Sequence, residues 1–135
     1  MDPQRLALIA AVIEKRLGIK LWEQDIYLNV VGGLEVDEPA ADLAIVGSIL
    51  SSLMNRSLPA STVVFGEVGL GGEIRSCLYP EMRLREAAAL GFHRGVVPAQ
   101  EISGELPSFD RTEVSNLHEA LEALFGSEAP NGSGD

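Results

Sequence analysis

Residues 62–75 read Thr-Val-Val-Phe-Gly-Glu-Val-Gly-Leu-Gly-Gly-Glu-Ile-Arg. The opening TVVF is rich in β-branched and aromatic residues, which suit a pleated, half-buried surface. Gly69 to Gly72 is a glycine-dense bend, after which Glu73-Ile74-Arg75 resumes extended character. A β-hairpin is the natural product of this pattern. Its glycines, Gly66-x-x-Gly69-x-Gly71-Gly72, share only their number with a phosphate-cradling loop. The Lys-Ser/Thr ending is missing and no helix opens there, so the amide cradle and the phosphate-binding lysine of such a loop are absent.

Working outward, the residues before the hairpin spell a helix from Pro39 to about Asn55, with Leu43, Val46, Ile49, Leu50 and Leu53 at helical spacing. Small residues (Ala40, Ala41, Ala44, Gly47, Ser48) allow close packing around it. Asp25 to Val31, DIYLNVV, reads as a buried strand stopped by Gly32-Gly33. A first helix is expected over residues 3–17. Asp2 caps it, Pro3 opens it, Leu6, Ile9, Ala10, Ile13 and Leu17 share a face, and Gly18 ends it. After the hairpin come a helix over residues 81–90 closed by Gly91, a short apolar strand at 95–98, and a last helix at about 114–125 carrying Val114, Leu117, Leu121 and Leu124. The tail from Ser127 to Asp135 is polar and Gly/Ser-rich, and disorder is expected there. Residues 1–126 therefore read as one α/β (α+β) unit of four short strands and four helices.

The composition agrees. A chain of 135 residues that is 46% apolar and 22% charged can form one core without disulfides or metals. Cys77 is the only cysteine, which excludes an internal disulfide and any multi-cysteine zinc site and suits a reducing, cytoplasmic compartment. No apolar run approaches the length of a membrane span, and Met1-Asp2-Pro3 lacks the basic flank of a signal peptide. The net charge of −10 argues against general affinity for nucleic acid. Its distribution qualifies that: residues 1–100 hold nine Lys or Arg against twelve acids, whereas residues 101–135 hold one against eight. A small basic face on the first hundred residues is compatible with the total.

Three segments carry a more specific likeness: DIYLNVVGGLEVDEPAADLA from Asp25, VVFGEVGLGGEIR from Val63 and RLREAAALGFHRGVVP from Arg83. With the leading helix RLALIAAVIEKRLGI from Arg5, they resemble, in order and spacing, the C-terminal Lon-protease-like domain of the bacterial RadA (Sms) DNA-repair family. The resemblance implies the fold of the Lon proteolytic domain, which is similar to ribosomal protein S5 domain 2: a mixed sheet packed by helices. Lon-type peptidases use a serine that attacks the peptide carbonyl and a lysine that takes its proton. The position matching the serine is Ala40, and an ungapped register anchored on Gly66-Glu67-Val68 and Gly91 places Glu81 at the lysine. A methyl group cannot be acylated and a carboxylate has no basic nitrogen. A slip of one or two residues would bring Met82 or Arg83, neither of them a usable base at neutral pH. The only lysines, Lys15 and Lys20, belong to the first helix and its exit.

The family is also implied to be an ATPase with a separate motor domain and a four-cysteine zinc module. ATP and zinc would belong to those parts, so no cofactor and no metal are expected in this chain. The resemblance further implies a homo-oligomer, a hexameric ring, acting in DNA recombination on single-stranded or branched DNA, with no membrane partner. The side chains worth considering for DNA are Arg5, Lys15, Arg16, Lys20, Arg75, Arg83 and Arg85. Arg5 and Arg16 are eleven residues apart and share a helix face. Ser48, Ser51, Ser52, His93 and His118 offer no nucleophile elbow and no metal-ligand spacing. Two other readings remain open: a peptidase built on unconventional residues, and a protein-docking module that uses its acidic C-terminal helix without touching DNA.

Overall fold

The computed structural model describes residues 3–20, 38–104, 106 and 108–126. The strand expected at Asp25–Val31 and the tail from Ser127 lie outside the described residues. Helix α1 runs Pro3–Leu17 and ends as its sequence dictates. Gly18 adopts a left-handed φ of 70° and donates to the Glu14 carbonyl at 3.0 Å. A single 3₁₀ turn at Pro39–Ala41 leads into α2, Asp42–Met54, which is closed by Asn55 in the left-handed region. Then follow β1 (Thr62–Val64), the hairpin strands β2 (Glu67–Val68) and β3 (Ile74–Arg75), α3 (Pro80–Ala89), β4 (Arg94–Pro98), β5 (Asp110–Val114) and α4 (Leu117–Phe125).

The main sheet has the order β1-β4-β5, and both pairings are parallel, with Val64 opposite Val96 and Pro98 opposite Val114. Alternation of side chains gives the sheet two apolar faces. Val64, Val96 and Val114 meet the larger core, built from Ile9, Val12, Ile13 and Leu17 of α1, Leu43, Val46, Ile49 and Leu50 of α2, and Leu117, Leu121 and Leu124 of α4. Val63 and Val97 face the other way, onto Phe65, Leu84 of α3, and Ile102, Leu106 and Phe109. The sheet thus separates a layer of three helices from a thinner layer of α3 with Ile102, Leu106 and Phe109. Gly47 lets α2 approach α4, since a Cβ there would sit 3.3 Å from Leu124 Cδ1.

The hairpin β2–β3 is antiparallel and pairs Val68 with Ile74. It is stitched to the start of α4: Ile74 donates to the Ser115 carbonyl at 2.9 Å and Leu117 to the Gly72 carbonyl at 2.8 Å.

The mixed α/β architecture expected from the sequence is present, with two corrections. TVVF, read as an arm of the hairpin, joins the parallel sheet as β1, and the hairpin is formed by Glu67–Val68 with Ile74–Arg75. The last helix begins at Leu117 rather than 114, and residues 110–114 form a strand. Four of the five residues of β5 are exposed, three of them charged, which conceals the strand from a search for apolar runs. The true helix start is marked by Asn116 and Glu119. The Asn116 side chain accepts from the Glu119 amide at 2.9 Å, and the Glu119 carboxylate accepts from the Ser115 amide at 2.7 Å.

Candidate functional site

Ala40 is 6% exposed in the 3₁₀ turn before α2. Its carbonyl accepts from the Gly66 amide at 2.8 Å, while the Gly66 carbonyl accepts from the Leu43 amide at 3.0 Å. The turn is thereby braced directly against the end of β1. A cleft of about 260 Å³ opens beside it, lined by Glu38, Pro39, Ala40, Glu67, Ser76, Cys77, Leu78 and Arg83.

The cation in this cleft is Arg83. It pairs with the Glu38 carboxylate, donates through Nε to the Leu78 carbonyl at 2.9 Å, and lies 5.9 Å from the centroid of the Phe65 ring. Glu81, which the ungapped register places at the lysine position, is half-buried in the first turn of α3 and does not line the cleft. Arg83, two residues on, is the side chain that does.

The Cys77 backbone is gripped on both sides by one amide: Gln100 Oε1 accepts from its N–H at 2.9 Å and Gln100 Nε2 donates to its carbonyl at 3.1 Å. Burial pushes the Cys77 thiol above its ordinary pKa, against an opposing pull from the Arg83 guanidinium. A thiol raised in this way is mostly protonated near neutrality, the reverse of an activated nucleophile. Iodoacetamide at pH 8 is therefore expected to alkylate Cys77 more slowly in the folded chain than in the urea-unfolded chain. Equal rates by mass spectrometry would show that the cleft gives the thiol no protection.

Asp42, the first residue of α2, is fully buried. It accepts from Arg5 Nε at 2.7 Å, from Arg5 Nη2, and from the Val68 amide at 3.0 Å. This cluster fastens α1, α2 and β2 together. Glu67 lies 3.9 Å from both Arg5 and Arg75, and Arg75 pairs with Glu73 at 3.1 Å. The Glu73 carboxyl is held below the usual range by backbone N–H groups, its own first, and by Arg75. At 2.9 Å it also accepts from the Gly71 amide, shaping the hairpin bend.

The seven basic candidates therefore fall into distinct settings. Arg5 belongs to the Asp42 pair, Arg75 to the hairpin carboxylates and Arg83 to the cleft. Lys15, Arg16 and Lys20 are exposed together at the C-terminal end of α1, and Arg85 is exposed on α3. Arg5 and Arg16 do not form one contact face, because Arg5 turns inward to Asp42. The sequence reading passed over Asp42, Glu38 and Gln100. A lone acid opening the otherwise apolar stretch Leu43–Leu50 was the signal available for Asp42. Among the described residues no three His, Cys, Asp or Glu side chains converge as a metal site, and no helix is long and apolar enough to cross a membrane.

Fold and cleft together define a mixed α/β domain with a parallel sheet between two unequal layers and a cleft whose turn carries a methyl group. Comparison with known proteins supplies its kinship. The chain is 44% identical over 124 residues to "DNA repair protein RadA" of Aquifex aeolicus, covering 92% of this chain and 28% of that protein. Against the proteins of the same name from Pseudomonas aeruginosa and Bacillus subtilis it is 45% identical over 126 residues and 44% identical over 128, in each case covering 93% of this chain and 28% of the relative. It belongs to the RadA family of DNA repair proteins and spans somewhat more than a quarter of the length of these curated relatives. No family model matches the chain.

Proposed function

We propose that this domain is a non-catalytic assembly and DNA-engagement module of a DNA-repair and recombination ATPase, whose motor and zinc-binding parts lie in other domains. The observation that carries the non-catalytic part is Ala40. It sits in the turn where a Lon-type nucleophile is expected, and the cation beside it is an arginine already tied to Glu38 and Leu78. Ser76 and Cys77 also line this cleft, yet its lining holds no lysine or histidine to serve as a base, and the Cys77 thiol is shifted away from reactivity. Peptide turnover by the chain, abolished by Ser51→Ala, Ser52→Ala or Ser76→Ala, would overturn this part of the reading.

For DNA, the proposal rests on Lys15, Arg16 and Lys20. All three are exposed, within six consecutive residues at the end of α1 and its exit. Contacts by three such side chains would be sequence-independent and would release about three counterions. A log–log slope of affinity against salt of roughly −2 to −3 is expected. Fluorescence anisotropy with single-stranded and branched DNA at two salt concentrations is the test. Charge reversal of all three residues to Glu is expected to abolish binding; an unchanged affinity would put the DNA contact on other residues, and a wild-type chain without DNA affinity would leave a protein-docking module. The reading also includes a homo-oligomeric ring, proposed as hexameric, in which repeated weak contacts add through effective concentration.

A further inference from the structure

Three large apolar side chains stand in solvent at the entrance to α3: Leu78 is 75% exposed, Tyr79 63% and Met82 55%. A single exposed apolar residue is ordinary, but three adjoining ones make a patch of the kind that marks an interaction surface. The chain holds them in place. Tyr79 sits in the left-handed region at φ 55° and ψ 50°, the Cys77 backbone before it is gripped by Gln100, and the Leu78 carbonyl is held by Arg83. Little conformational freedom would be lost on docking, which is the condition under which a small patch binds usefully. Arg85, exposed three residues beyond Met82 on the same helical face, sets a cation at the rim of the patch beside the exposed Glu86.

A complementary surface exists elsewhere on the same chain. Along β5 and α4 runs an open groove of about 340 Å³ lined by Thr112, Glu113, Val114, Glu119, Glu122 and Ala123. Its apolar floor is the buried Val114 and the half-buried Ala123, and Glu113, Glu119 and Glu122 are exposed around them. Helix α4 packs on the face of the sheet opposite the one covered by α3, so patch and groove do not overlap. Among the described residues Arg85, Glu113 and Glu122 take part in no salt bridge within the chain.

We propose that the Leu78–Tyr79–Met82 patch docks into the β5–α4 groove of a second copy, with Arg85 set against Glu113 and Glu122. This rests on the assembly part of the reading above and names its surfaces. Two different patches meeting make a head-to-tail contact, which propagates from copy to copy until a ring closes. The charge pairing also offsets the mutual repulsion of chains that each carry a net charge of −10.

Sedimentation velocity of the 135-residue chain over a concentration series tests it. Leu78→Ser combined with Met82→Ser is expected to weaken association roughly thirtyfold, the loss typical of removing an interface anchor. Arg85→Glu alone and Glu122→Arg alone should each weaken it roughly fivefold, and the two together in one chain should recover most of that loss. A patch variant mixed with a Glu113→Arg, Glu122→Arg groove variant retains one intact contact and is expected to stop at a heterodimer. All these positions are exposed, and unchanged melting curves will confirm folding. If the wild-type chain assembles and the variants assemble equally well, these surfaces are wrong while assembly stands. A wild-type chain that stays monomeric throughout overturns both.

Discussion

Replacing Asp42 by alanine is expected to lower the unfolding free energy by roughly 3–5 kcal/mol, the range for breaking one side of a buried ion pair. The carboxylate is fully buried and accepts three hydrogen bonds from two elements, Arg5 of α1 and the Val68 amide of β2. Without it a guanidinium only 19% exposed is left facing the sheet, and a buried amide loses its acceptor. Arg5→Ala should act in the same direction, because it leaves the buried carboxylate with the Val68 amide alone among the partners described above. The two losses should be strongly non-additive, since either substitution removes the same pair. Urea melts of the single and double variants measure this. Additive losses, or a loss below about 1 kcal/mol for Asp42→Ala, would mean that the pair does not hold α1 to the rest.

Gly66→Ala should follow closely, with a loss of roughly 2–4 kcal/mol from overpacking and backbone strain together. Gly66 has a φ of 154°, and a Cβ there would come within 2.8 Å of Ile74 Cγ2 in the hairpin. Both its amide and its carbonyl brace the turn that carries Ala40. The same substitution should therefore widen the cleft and accelerate Cys77 alkylation. Gly91→Ala is the control. Its φ of 98° imposes strain but nothing lies within 4 Å, so about 1 kcal/mol is expected from conformation alone. If the two alanines cost the same in thermal or urea melts, close packing at Gly66 plays no part.

Much of this architecture could be read from the chain because local signals and packing agree. The apolar period of α1, its Pro3 start and its Gly18 stop gave both ends of that helix, and the glycines after Val68 gave the hairpin. β5 was hidden because an edge strand buries one side chain in five and its charges look like loop. The parallel order β1-β4-β5 was equally hidden, since register between distant strands is set by tertiary packing and not by any local pattern. At the site, the alanine of the turn before α2 was legible because the identity of a residue needs no geometry. Glu81 was not: a register counted along the chain cannot tell which face of α3 turns to the cleft, and that face carries Arg83. Nor does a sequence distinguish a solvated arginine from one spent on an internal carboxylate. That is why Arg5 and Arg85, alike in charge, ended in different environments.

The charged strand β5 has one more consequence. No strand pairs with its outer side among the described residues, and Asp110, Arg111, Thr112 and Glu113 all reach solvent along it. Unpaired strand margins are templates for runaway polymerisation, and closely spaced ionic groups are one of the ways proteins disarm them. In the proposed assembly, where copies would stand side by side, that hazard would be greatest. Contacts made by side chains across such a margin can form and dissolve, whereas backbone zippering between copies would fix them for good.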